Sequence, residues 1–192
     1  MHKADFIKAV QKKQRDPKLQ DTLIDTCLQT PDLVYVLLEE MLGTHENASY
    51  FARILEMTVK TQPVIIVNYL AEFTQVLPLV KDDTTTRSCA KICEIIMIQY
   101  ELKKDSRFLT ALLPEHRELM INACFDWKIN DRAVAIQVHA MYSLYLLGFT
   151  YAWIHPSVVM LIEKNIPHGS TGYQNRGRKV IKAIETKKLY KL

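Results

Sequence analysis

Three segments of this chain repeat one order of apolar residues, turn and small residues, and this weak internal repeat limits the fold more than any other feature. Residues 37–42 lead through 43–47 into 48–55, residues 73–80 through 81–84 into 87–93, and residues 119–125 through 128–131 into 132–145. The spacing is about 38 to 45 residues, the period of arrays built from pairs of helices. In such arrays each pair carries an apolar stripe too wide to hide alone, so neighbouring pairs stack.

The remaining pattern predicts helices throughout. Asp5 is placed to cap a first helix reaching about residue 14, and Asp16 with Pro17 punctuates the chain before a second over residues 18–29. Thr30, Pro31 and Asp32 open a third, with Gly43 past its end as a C-cap, and Asn47 is placed to cap the fourth, which ends near Pro63. A fifth helix is expected from Pro63 to about Lys81, kinked or stopped at Pro78. The run Val64, Ile65, Ile66, Val67 has strand composition, but it has no partner strand, and Tyr69, Leu70, Phe73, Val76 and Leu77 continue a helical spacing. A sixth helix over residues 84–102 carries Cys89, Ile92, Cys93, Ile96, Met97 and Tyr100 on one face. After a short segment around residues 108–113, Pro114 starts another helix. Residues 131–147 are apolar on two sides, which marks a central helix. Gly148 ends it, Thr150 or His155 begins the next, and Asn165, Ile166 and Pro167 break the chain before a last helix within residues 170–188. The expectation is one helical-repeat domain over residues 1–192, all-α, an α-α superhelix of about four to five helix pairs.

Composition supports this reading. Of 192 residues 48% are hydrophobic and 24% charged, enough apolar content for a continuous core. Of only five glycines, three (Gly169, Gly172, Gly177) cluster near the C-terminus, which argues against many tight β-hairpins. Nothing resembles a secretory leader or a membrane span, so the expected compartment is the cytoplasm and no membrane contact is expected. Cys27, Cys89, Cys93 and Cys124 lie within apolar helical stretches, which suits reduced, buried thiols. Cys89 and Cys93 are close enough to share a metal, but nothing completes a zinc pattern and core packing is the reading preferred. No metal or other cofactor is expected. The net charge of +4 is unevenly placed: residues 164–192 hold eight Lys/Arg against Glu185 alone. Such asymmetry marks either a solvated helix face or a contact to an acidic or nucleic-acid partner.

The Asp-containing turns (Asp82 and Asp83; Asp131), each followed by an Arg (Arg87; Arg132) that leads a helix of small and aliphatic residues, resemble the HEAT family of ARM-type folds across residues 31–148. The first unit, with Glu46 and Arg53, departs from that pattern. The resemblance implies a solenoid whose curved inner surface binds a partner, and it implies that Arg87 and Arg132 join a hydrogen-bonded ladder between repeats, with ligand binding as their second role. The C-terminal half, including residues 135–141, 153–156 and 172–179, is similar to short bacterial proteins, some of which carry an adenylosuccinate lyase label. Those lyases are much longer and use a flexible Ser-Ser loop that has no counterpart here, so no enzymatic activity is expected.

Residues 168–179 are the best functional candidate, because small residues at a helix start expose backbone N–H groups while the cations that follow neutralise an anion. The alternative is structural: Ser170 or Thr171 as cap, Gly172 or Gly177 for close packing. The binding residues expected are Tyr173, Arg176, Arg178, Lys179 and Lys182, with Arg87 and Arg132. His139, within the most apolar helix, reads as a hydrogen-bonded interior or groove histidine. Two function classes follow. The first is a non-enzymatic module that holds a protein partner on its concave surface. The second is a nucleic-acid-binding solenoid, at its extreme similar to HEAT-like glycosylases of alkylated bases, for which Asp126, Trp127, Arg132 and Trp153 would be the matching side chains.

Overall fold

The computed structural model describes residues 2–12, 16–130 and 132–189. Among them it contains eleven α-helices and no strand. In order these are α1 (Lys3–Gln11), α2 (Pro17–Gln29), α3 (Leu33–Glu40), α4 (Ala48–Thr61), α5 (Leu70–Val76), α6 (Asp83–Met97), α7 (Ser106–Ala111), α8 (Pro114–Ile129), α9 (Val134–Leu147), α10 (Ile154–Asn165) and α11 (Thr171–Glu185). None is long and apolar enough to cross a membrane.

The helix starts follow from capping chemistry. Asp16, Asp82, Asp105 and Ser170 accept from the backbone N–H of Lys18, Thr85, Arg107 and Tyr173, each satisfying one of the donors a first turn leaves free. Two expected caps fail. Asp5 sits inside the first turn of α1, behind His2, and the Asn47 amide donates instead to the Gln11 carbonyl at 2.7 Å, tying α1 to the start of α4. Gln14 and Arg15 lie outside the described residues. Gly43 follows a right-handed turn, and no glycine takes a positive φ, so left-handed C-caps play no part at these glycines.

The expected fifth helix is three pieces: a 3₁₀ turn over Pro63–Tyr69, α5, and a second 3₁₀ turn over Leu77–Leu79. Pro78 ends the α-helical hydrogen bonding as expected, and the β-branched run is helical but wound too tightly for α geometry. The sixth helix relaxes into a π turn over Ile98–Leu102, which buries Gln99 and Glu101.

By their contacts, seven of the helices fall into two series. In one row α4 packs on α6, α6 on α9, and α9 on α11; in the other α3 meets α5 and α5 meets α8. Across the rows α3 lies on α4 and α8 on α9. Helix α9 touches α6, α8, α10 and α11, the central place its two apolar faces predict, and every residue from Ala140 to Leu147 is buried. A single hydrophobic core runs from Phe6 to Ala183.

Gly148 is required by a close approach. A Cβ there would fall 2.0 Å from Cδ2 of His155, whose Nε2 lies 2.9 Å from the Tyr145 carbonyl and whose ring packs on Tyr145 and Phe149. Gly148→Ala should therefore cost about 2 kcal/mol by overpacking, read as a lower Tm with an unchanged helical spectrum. Gly177, rather than the open Gly172, serves packing in α11, because its Cβ would lie 2.7 Å from Ile162 of α10.

Candidate anion-binding cleft and basic face at the last helix

Among the described residues the buried charges fall into a part where they are matched and a part where they are not. The matched part follows the row α4, α6, α9. Glu56, Glu94 and Glu101 are each almost fully buried. Each uses one carboxylate oxygen for a cation three residues away: Arg53 at 3.0 Å, Lys91 at 2.7 Å and Lys104 at 2.7 Å. The other oxygen reaches the next layer of the row. Glu56 accepts from Ser88 at 2.9 Å with Arg87 at 3.6 Å, Glu94 pairs with His139 Nδ1 at 2.5 Å, and Glu101 accepts from Thr150 at 2.7 Å. Burial pulls the Glu94 carboxyl up, but hydrogen bonds and charge from His139 and Lys91 outweigh it and hold the group below the ordinary carboxylate range.

The two arginines of the repeat pattern are likewise tied to the preceding helix of the row. Arg87 faces Glu56, and Arg132 donates through Nη1 to the Lys81 carbonyl at 2.7 Å and to Asp83 at 3.0 Å. Asp131 lies outside the described residues.

Lys128 is the most deeply buried cation among the described residues. It is 1% exposed, at the end of α8, and among the described residues its Nζ makes one hydrogen bond, to the Tyr173 hydroxyl at 2.5 Å, with the same ammonium 4.3 Å from that ring's centroid. No carboxylate lies within ion-pair distance among the described residues, and burial pulls the Lys128 amine down to about 8. Sequence reasoning passed over this residue. The signal was present: Lys128 stands four residues after Cys124 and seven after Ile121, so it continues the buried stripe of α8.

Lys128 and Tyr173 line a cleft of about 330 Å³ that also takes in Gln137 of α9 and Asn165, His168 and Ser170 between α10 and α11. Ile129 and Val134 form an apolar, solvent-exposed rim. Ser170 is the cap of α11, so the free N–H groups and positive dipole end of a 15-residue helix begin at the cleft edge.

The basic residues of α11 separate by role. Tyr173 is buried in the cleft wall. Arg176 is half-buried, with its guanidinium 5.2 Å from the Tyr142 ring, and anchors α11 to α9. Arg178, Lys179 and Lys182 are exposed, and among the described residues none has an ion-pair partner; Arg178 reaches only the Gln174 side chain at 3.2 Å. Lys191 lies outside the described residues.

Asp126, Trp127 and Arg132 line a second cleft of about 430 Å³ beside Leu77 and Pro78. Trp127 is 2% exposed and offers no ring face to a base, Asp126 accepts from Asn130 at 2.6 Å, and Arg132 is occupied as described. Trp153 stacks on Phe125 outside this cleft, with ring centroids 5.7 Å apart. All four cysteines are buried and unpaired, and burial pushes the Cys27 and Cys89 thiols up to about 12, so they are poor nucleophiles and poor metal ligands. Among the described residues no three His, Cys, Asp or Glu side chains gather as a metal site.

The class these features define is an all-helical protein, its helices packed on one core, with a basic last helix. No protein-family model, curated protein or solved structure matches the chain.

Proposed function

We propose that this chain is a non-enzymatic interaction module, an α-solenoid of the HEAT/ARM type, which holds an acidic protein partner with α11 as a principal contact. The observation that carries the reading is the row of exposed cations Arg178, Lys179 and Lys182, which have no ion-pair partner among the described residues while the interior carboxylates are matched one by one. Exposed, unneutralised charge on a rigid helix steers and selects a partner of opposite sign. The order of helices along each row and the links from Arg87 and Arg132 to the preceding helix support the solenoid reading. Four buried thiols suit a reducing compartment, and the cytoplasm is the location proposed.

The test is low-salt affinity capture from lysate, with and without nuclease, using wild type and an Arg178→Glu, Lys179→Glu, Lys182→Glu variant whose helical spectrum matches wild type. An acidic protein that survives nuclease and is lost with the variant is the expected result. Recovery of nucleic acid alone would replace this reading with the nucleic-acid one. Equal capture by the variant would move the contact away from α11.

A further inference from the structure

We infer that the cleft between α8, α9 and the start of α11 is a binding site for a small organic anion, with Lys128 as the counter-charge, the opening of α11 as a second source of positive potential, and Ile129 and Val134 against the apolar body of the ligand. This goes beyond the docking proposal, because it needs no protein partner and uses none of the exposed cations of α11.

Three independent features of the cleft point the same way. The first is Lys128 itself: an ammonium has three donors, and among the described residues this one has a single neutral acceptor, the Tyr173 hydroxyl. A buried charge is costly unless something opposes it, and Glu56, Glu94 and Glu101 are each opposed by a cation. The second is the neighbouring chemistry. Ser170 Oγ takes the N–H of Tyr173 at 3.3 Å, and Gln174 reaches back to the Gly169 carbonyl at 2.9 Å, which fixes the turn that opens α11 where Gly169 and Ser170 line the cleft. The third is size: about 330 Å³, with Ile129, Val134 and the Tyr173 ring among polar groups in its lining, has room for a small organic molecule and not for a bare ion alone.

The proposal predicts linkage between ligand and proton. Among the described residues the titratable groups that line the cleft with Lys128 are His168 and Tyr173; α9 contributes the uncharged Gln137 and Val134, and Asp126 and Arg132 belong to the other cleft. An anion beside Lys128 favours its charged form, so binding near pH 8 takes up a proton.

The experiment uses the full chain with benzenesulfonate, which carries no titratable proton near neutral pH, and benzenesulfonamide, its uncharged analogue. Calorimetry at pH 8 in two buffers of different ionisation enthalpy reads both affinity and proton uptake. Saturable sulfonate binding, at least tenfold weaker sulfonamide binding, and proton uptake that persists in His168→Gln and disappears in Lys128→Met are expected. Lys128→Met should also weaken sulfonate at least tenfold. Should that variant fold poorly, the Lys128 titration followed by NMR in wild type answers the same question, and sulfonate should move it upward. Equal affinity for the two probes, no saturable sulfonate binding, or a Lys128 titration indifferent to sulfonate would overturn the proposal.

Discussion

Lys128→Met should raise the free energy of unfolding at pH 7 by about 2 kcal/mol. The lowering of the Lys128 amine from 10.5 to about 8 by burial is a penalty on the folded state, of about 3 kcal/mol when converted at 1.36 kcal/mol per pH unit. Met keeps the volume and the flexible stem while removing the charge. Against that gain stands the lost hydrogen bond to Tyr173, worth about 1 kcal/mol. The unfolded chain holds its proton to higher pH than the folded one, so the penalty is present in full below about pH 8. It fades as pH rises towards the unfolded value of about 10.4, because the unfolded state binds more protons across that window. Denaturant unfolding of both proteins from pH 7 to pH 10 should show the stability gap closing as pH increases. A variant less stable than wild type at pH 7 would mean that Lys128 has an anionic partner and is a net stabiliser.

The second large effect lies in the carboxylate series. His139→Leu removes the partner of Glu94 Oε2 and leaves a buried carboxylate held by Lys91 alone, at an expected cost of about 3 kcal/mol at pH 7. Replacing both residues, Glu94→Met with His139→Leu, should recover most of that loss, because the expensive species is the half-paired charge rather than the absent pair. The folded carboxyl titrates below its unfolded value, so its contribution is present above about pH 4.3 and is lost as pH falls through the folded value. Unfolding of wild type, both single variants and the double variant at pH 7 and pH 3.5 completes the cycle. Additive single effects would show that Glu94 and His139 do not act on each other.

Much of the architecture was legible because helices declare themselves through spacing and punctuation. The two apolar faces of residues 131–147 located the central helix, and Pro78, Pro114 and Pro167 marked real ends or turns. What escaped was set by tertiary structure. Asn47 has the right side chain for a cap but bonds across to Gln11, and residues 63–79 show one helical period yet adopt two 3₁₀ turns around a short α-helix. The site was half legible. The cluster of cations on α11 and Ser170 as its cap could be read directly, whereas the distinction between anchoring Arg176 and exposed Arg178 depends on where Tyr142 of another helix lies. Lys128 was hidden by a habit of reading lysine as surface. Its place on the stripe of Ile121 and Cys124 was in the sequence, but that no carboxylate among the described residues pairs with it is seen only once α9 and α11 close over it.

Both the predicted stability gain and the anion-binding cleft turn on that one ammonium, so its titration is the most direct measurement. Selective isotopic labelling of lysine, with Lys128 assigned through the Lys128→Met variant, would follow its side-chain resonances from pH 6 to pH 11. A midpoint near 8, well apart from the exposed lysines, is the result predicted. A midpoint in the ordinary lysine range would show the ammonium to be solvated or paired, and the anion-binding cleft would lose its foundation.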